Sequence, residues 1–404
     1  MPQMEWAEVE YPLAGLSQEE GEAKAKSAYA RIVEILTRKD LKRRSDIPES
    51  YPEAKDKNLR FSGDTLNDVL EEMNAAFMDL HWGDGLPLVP PTREAVEEML
   101  KGVSLRPDDV IGLLYPGQGK ATVKKIAINA VMAGCRPDYM PVLIATIRAI
   151  TSPEYNQEST LLSTGSFFPV LVVNGPIAKK IQMNGGRNAF GPGWRSNATI
   201  GRAIRLMIIN IGGSWPNVND MSVLGHPGKY TCCIAENAQS SPWPSLSEEL
   251  GYPPATSTVA VYPGLMMGYV TTTGGPNPED VLQPLCEQLS AVSSTVSIVP
   301  TVQTLVILNP LHARKLHDMG LTKPDVKRYI YENTRLSGEK YLRMTQLAAM
   351  KTKIRKDFSS WPGSTVSLFD SPDRIYVVVA GAEGVQSTFI RGFFGNIAIC
   401  EVPM

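Results

Sequence analysis

Residues 169–185 repeat, without a gap, the pattern of residues 304–320. Each begins with an apolar strand-like run that ends in Asn, at Asn174 and Asn309. A Pro-containing entry, an Ala followed by two basic residues, and a closing Gly come next. Ahead of each unit a Gly precedes an X-Pro-acidic helix start, Gly134 to Asp138 in one and Gly275 to Glu279 in the other. A pattern that returns with its punctuation intact reads as a duplicated supersecondary unit. The predicted fold is therefore α/β, with two similar strand–helix lobes from an internal duplication and an N-terminal helical arm. The expected divisions are an arm and linker at 1–60, a first lobe at 61–250 carrying a Gly-rich site loop, and a second lobe at 251–404. Ligands of open α/β sheets bind beyond the carboxyl ends of strands. Asn174 and Asn309 are placed there, beside a cleft expected between the lobes.

The arm begins with a charged helix from about Ser17 to Asp40, whose Ala28, Ile32, Ile35 and Leu36 form one apolar side. Such a helix suits packing on the body or on a neighbouring subunit, so a homo- or hetero-oligomer is expected. A net charge of −2 gives no electrostatic footprint for nucleic acid. No apolar run reaches the roughly 18 residues of a membrane span, and the N-terminus lacks the apolar core of a signal peptide. The five cysteines show neither CxxC nor zinc spacing, which suits reduced thiols and a cytoplasmic setting.

Gly, Asn and Arg concentrate in residues 184–243. Gly185, Gly186, Gly191 and Gly193 let the backbone approach a ligand. Ser196 or Asn197 can cap the helix that follows. A Gly-rich loop entering a helix presents free N–H groups to an anion. Arg195 lies before that cap, and Arg202 and Arg205 lie in the first two turns, where a cation opposes the helix dipole. Their charge calls for an anion or for carboxylate partners. Neither a P-loop nor a dinucleotide fingerprint is present, and no cofactor is implied. Arg195, Asn197 and Arg202 are the primary expected anion contacts, and Asp220 and Lys229 lie in the polar loop beyond the helix.

His226 precedes Pro227, so it cannot be helical and its imidazole sits on a turn, for catalysis or for a structural hydrogen bond. Glu236 follows at the end of a short strand on which Cys232 and Cys233 point to opposite faces. Asp84, between two glycines, is a turn residue or a site carboxylate, and His81 follows the same logic. Lys124 is a polar member of the predicted helix over 121–134 and a candidate for proton transfer. Cys135 follows that helix beside Arg136, where a cation favours the thiolate and a helix C-terminus opposes it. Structural and nucleophilic roles both stay open for it. A metal site would draw on His81, Asp84, His226 and Glu236, none of which has adjacent-ligand spacing. His312 and His317 are five apart, which is not the spacing of a helical metal pair.

Five segments resemble the UGSC-associated family of bacterial proteins: GDGLPLVPPT at 83–92, ATVKKIAINAVMAGCRPDYMPV at 121–142, NATIGRAIRLMIINIGG at 197–213, GHPGKYTCCIAEN at 225–237, and NPLHARKLHDMGLTKPDVKRYIYENTR at 309–335. The resemblance covers roughly residues 64–400. Members are associated with a small module bearing a selenocysteine- or cysteine-Gly-Ser-Cys motif. What the resemblance implies is thiol or selenol redox chemistry on a small molecule. This chain has no Cys-Gly-Ser-Cys, so a separate redox partner would have to supply it.

These readings together predict an enzyme acting on a small anionic molecule at the inter-lobe cleft, by lyase, hydrolase or reductive-cleavage chemistry. The alternatives are a non-catalytic substrate-binding or docking subunit of a redox complex, and a metal-dependent enzyme.

Overall fold

The computed structural model describes residues 16–37, 59–216, 218–292, 302–340 and 365–403. The basic stretch after Arg38 and the linker before residue 58 lie outside them. α1 (Gln18–Thr37) buries none of its residues, and Ile32 and Leu36 of its apolar side are exposed. The body opens with α2 (Leu66–Asp79), held at its start by a capping box between Thr65 and Asp68, and α3 (Arg93–Leu100), capped by Thr92. β1 (Val110–Leu114) and β2 (Gly119–Thr122) form an antiparallel pair that leads into α4 (Val123–Ala133). Gly134 ends α4 in the left-handed region. α5 (Met140–Ile150) and α6 (Gln157–Leu161) then lead to β3 (Phe168–Asn174), α7 (Pro176–Lys180), α8 (Arg195–Asn210), β4 (Cys233–Ala235) and α9 (Leu246–Glu249). The remainder comprises β5 (Thr258–Gly264), β6 (Met266–Thr271), α10 (Pro278–Ala291), β7 (Gln303–Leu308), α11 (Pro310–Asp318), α12 (Lys323–Asn333), β8 (Arg335–Ser337), β9 (Thr365–Ser367), β10 (Ile375–Val379), β11 (Gln386–Gly392) and β12 (Ala398–Glu401).

Two four-stranded mixed sheets carry the α/β architecture. Their orders are β12-β5-β3-β4 and β10-β7-β11-β6. Side chains alternate across each strand, and here both faces of both sheets are covered. In the first sheet Leu171, Val173, Val259 and Val261 pack under α4, α5 and α8. Val170, Val172, Ala260 and Tyr262 point the other way and meet Leu305, Ile307, Val378 and Ile390 of the second sheet. The opposite face of the second sheet, with Val306, Leu308, Val377 and Phe389, packs under α10, α11 and α12. The layers run helix, sheet, sheet, helix.

The sheets share one pattern of directions. β3 has a parallel neighbour, β4, and an antiparallel one, β5, and β5 in turn pairs antiparallel with β12. β7 likewise has parallel β10 and antiparallel β11, and β11 pairs antiparallel with β6. Each outermost antiparallel strand comes from the chain segment that has just left the opposite sheet. The crossings need small residues. A Cβ on Gly392 would sit 2.1 Å from the Pro263 carbonyl oxygen, and one on Gly264 would sit 2.8 Å from Val170.

This exchange corrects the expected division of the chain. Residues 251–404 do not form a lobe of their own, because β5 and β12 complete the first sheet. No helix among the described residues is long and apolar enough to cross a membrane.

Candidate functional site

α8 begins at Arg195, with Trp194 as its cap, three residues before the expected start at Ala198. Ser196 and Asn197 are consequently inside the first turn and buried. The Asn197 side chain accepts from the Asn184 amide at 2.8 Å and donates to the Asn184 and Ala189 carbonyls at 2.8 and 3.3 Å. Ser196 Oγ donates to the Gln182 carbonyl. These bonds fix the Gly-rich loop against the helix and commit the Asn197 side chain, which was expected to contact an anion. Arg195 is exposed and its Nε donates to the Gly134 carbonyl at 2.8 Å, tying down the end of α4. At this helix entrance the Asn197 side chain and Arg195 Nε, both expected to contact an anion, serve structural bonds.

Arg202 meets a carboxylate. Its Nε and a terminal nitrogen grip Asp84 at 2.8 and 2.9 Å, and the same terminal nitrogen reaches the Leu86 and Pro87 carbonyls at 3.0 Å. The bidentate fork locks the 83–88 turn onto α8. With Asp84 only 3% exposed in its side chain, its carboxylate is committed to that pair rather than to acid–base work.

One turn along α8, Arg205 faces a cavity of 690 Å³ lined also by His81, Asp84, Trp215, Asp220, His226 and Lys229. Four of the candidates from the sequence, Asp84, Asp220, His226 and Lys229, come together here. The Lys229 ammonium donates to both Asp220 oxygens, at 2.7 and 2.6 Å, and to Ser222 Oγ. Arg205 donates through Nε to the Lys229 carbonyl and stands 3.8 Å from Asp220. One of its terminal nitrogens is buried without a hydrogen-bond partner. Burial pushes the Asp220 carboxyl up, but hydrogen bonds from Lys229 and Ser222 outweigh it and hold the group below the ordinary carboxylate value. Burial pulls the Lys229 ammonium and the Arg205 guanidinium down. A guanidinium keeps its proton in proteins, and the Lys229 ammonium is held by its ion pair with Asp220. Arg205 and Lys229 share Asp220, while Asp84 on the same wall is gripped by Arg202, so three cations stand against two carboxylates around the cavity.

His226 has an extended backbone, as its Pro neighbour requires. Its ring stacks on Phe168 at 4.2 Å between centroids, and its Nδ1 accepts the Gly228 amide at 2.9 Å. Burial lowers its pKa, so the ring is neutral near pH 7. With Nδ1 accepting, the proton of the neutral ring sits on Nε2. His226 is thus a hydrogen-bond donor at Nε2, and of the catalytic roles open to it that tautomer fits donation of a proton or hydrogen bond there. His81 lines the same cavity and takes φ 57° just past Leu80, the residue that caps the end of α2.

Other candidates lie elsewhere. Lys124 is exposed on α4 and lines neither this cavity nor the one described below. Cys135 is buried, its thiol donates to the Thr199 carbonyl, and burial pushes its pKa up to about 12. That removes the thiolate a nucleophile needs. Asn309 caps α11 by accepting the His312 amide, and its NH2 group donates to the Gln386 carbonyl and Ser387 Oγ. His312 is buried between Ser387 and the Thr272 carbonyl. Asn174 and Glu236 line a separate cavity of 740 Å³ at the carboxyl ends of β3 and β4, together with Gly185 and Gly186. Glu236 is thereby parted from His81, Asp84 and His226, and no group of three or more His, Cys, Asp or Glu side chains able to hold a metal occurs among the described residues.

Four of the five cysteines are buried, and Cys400 is half-buried. Alkylation of the native protein at pH 8 is expected to label Cys400 first. Cys135, Cys232, Cys233 and Cys286 should react only after denaturant is added, as peptide mass spectrometry would show. Fast labelling of Cys135 would return it to the list of nucleophiles.

No protein-family model matches the chain, and no curated protein matches it.

Proposed function

We propose that the cavity beside α8 binds a small anionic molecule and that the chain is an enzyme acting on it. The observation that carries this reading is the Arg205 guanidinium, buried with a terminal nitrogen unpartnered beside Lys229; the two share Asp220, and the nearby Asp84 is already paired with Arg202. A phosphate or carboxylate would supply the missing acceptor and the missing charge. His226 then donates from Nε2 to an oxygen that gains charge in the reaction, the electrophilic role of a neutral imidazole. This arrangement favours lyase or hydrolase chemistry on a carbonyl or phosphoryl group. Reductive cleavage would need thiol or selenol equivalents from a separate partner, since the cavity is lined by no cysteine. That is the role the UGSC-associated resemblance leaves open.

A docking role has its own support. Val223 and Leu224 are 78% and 94% exposed, and Leu224 and Tyr230 line the cavity. An apolar rim of this kind suits a protein partner or a second copy closing over the site. The common topology of the two sheets, with the sequence repeat, supports an internal duplication. The uncovered apolar side of α1 suits an arm that packs on another subunit.

Calorimetric titration with inorganic phosphate and with acetate tests the anion reading. Saturable binding is expected, with at least a tenfold loss in Arg205→Met. At a hundredfold excess over Kd the ligand should stabilise the wild type by about 2.7 kcal/mol. If His226 acts on the bound molecule, His226→Ala should keep that binding while losing turnover. Equal binding by Arg205→Met and wild type would remove the proposal.

A further inference from the structure

The second cavity contains something its counterpart does not. Asn174 and Asn309 close β3 and β7 at matching places, each next to a parallel strand on one side and an antiparallel strand on the other. Asn309 spends its whole side chain on the fold. Asn174 caps nothing, because α7 starts from Gly175. Its Nδ2 is buried and has no hydrogen-bond partner, although Asn174 is 3% exposed. The same contrast holds on the neighbouring strands. The amide of Glu236 donates to the Val173 carbonyl just as the amide of Ala380 donates to that of Leu308. One half thus carries a carboxylate where the other carries a methyl group. Glu236 Oε2 accepts the Leu246 amide, but Oε1 is buried without a hydrogen bond. Ser247, 2% exposed and lining the same cavity, also has an unpartnered hydroxyl. Three polar groups without hydrogen bonds in one cavity, of which Glu236 alone has an ion-pair partner, Lys323 at 3.9 Å, are costly for the folded chain alone, since each forfeits hydration without a replacement bond.

We infer that this cavity is a second ligand site, built for a small uncharged molecule that presents a hydrogen-bond acceptor and donor side by side, as a primary carboxamide does. A carbonyl oxygen accepts from Asn174 Nδ2, the adjacent NH2 donates to Glu236 Oε1, and Ser247 serves either. The charge at the wall selects against ions. Lys179 and Glu248 add one charge of each sign to the lining, and at the unpartnered atoms Glu236 already faces Lys323 at 3.9 Å, so an anion there would meet a buried carboxylate and a cation would compete with a resident lysine. No residue is shared with the lining of the α8 cavity, so this site stands apart from the anion site.

Acetamide, acetate and ethylammonium are near-isosteric probes that differ in charge. Ligand-observed NMR titration of the full chain with each is expected to show saturable acetamide binding, roughly millimolar for so small a probe. Acetate and ethylammonium should bind this cavity at least tenfold more weakly. Arg205→Met silences any acetate response from the α8 cavity and should leave acetamide binding unchanged, which separates this proposal from the anion reading. Asn174→Leu should abolish acetamide binding while the unliganded protein melts at the same or a higher temperature, because the amide it replaces has no partner in the fold. Ser247→Ala, a smaller change, should weaken acetamide several-fold and also keep the fold. The proposal is overturned if acetamide does not bind, if the three probes bind alike in Arg205→Met, if Asn174→Leu retains acetamide, or if Asn174→Leu melts lower than the wild type.

Discussion

Replacing Arg202 with Met is expected to cost the fold about 3–5 kcal/mol, the usual penalty for removing one partner of a buried ion pair. Asp84 would be left 3% exposed without the guanidinium that pairs with it, and the Leu86 and Pro87 carbonyls would lose their donor. Methionine keeps the length and apolar stem of the side chain, so little of the cost comes from packing. The loss is the charge and the fork. Asp84→Asn should be milder, because an amide still accepts one of the two guanidinium bonds. The double variant should cost less than the sum of the singles, since the second change relieves the stranded charge left by the first. Urea unfolding of the four proteins measures this. A loss under about 1 kcal/mol in Arg202→Met would class the pair with solvated surface contacts. As the 83–88 turn forms one wall of the α8 cavity, the same variant should weaken anion binding without touching the anion.

Much of the local structure was legible because it is written in short-range chemistry. Thr65, Thr92 and Thr122 cap helices through their own side chains, and Gly134 ends α4 as only a residue free to take positive φ does cheaply. The repeated pattern falls on two strand–helix units, β3 with α7 and β7 with α11. What it did not show was what covers them. Residues 170–173 are apolar at every position, and β3 is buried along its whole length. A strand buried on both faces has no period to read. Helices on both sides or a helix and a second sheet give the same sequence, so the stacked sheets and the exchanged strands β6 and β12 were invisible. The Gly-rich loop misled for a related reason. Asn197 reads as a cap by residue type, but its side chain is saturated by Asn184 and Ala189, neighbours brought close only by the turn between. Arg205 was set aside as one of two helix cations. Its importance lies in burial by the 214–230 loop, a tertiary fact. The requirement that such cations find carboxylates was legible, and Asp84 and Asp220 meet it.

Lys323→Met should produce the other large effect, and that effect should depend on pH. Glu236 has no exposed side-chain surface and Lys323 is 5% exposed, 3.9 Å away. Lys323 is also 3.4 Å from Glu249, which Lys327 pairs with from the other side. This network joins the end of β4 and α9, on the first sheet, to α12 on the second. Removing Lys323 leaves Glu249 a cation in Lys327 and leaves Glu236 without its ion-pair partner, at an expected cost of about 3–5 kcal/mol near neutrality. Burial already raises the Glu236 pKa above its ordinary 4.5, with Lys323 the main force opposing it, so the substitution raises it further. A carboxyl whose folded pKa exceeds its unfolded one binds its proton more tightly in the native state. Its favourable contribution is complete below the unfolded value and is lost as pH rises through the folded one. The deficit of Lys323→Met relative to wild type should therefore be smallest at or below pH 4.5 and should grow toward neutrality. Adding Glu236→Gln should flatten that dependence, because a carboxamide has no proton to lose. Urea midpoints at several pH values for wild type, single and double variants decide the matter. A deficit that stays constant across the range, or one that the glutamine leaves sloping, would mean that Lys323 holds the two sheets together by packing and not by charge.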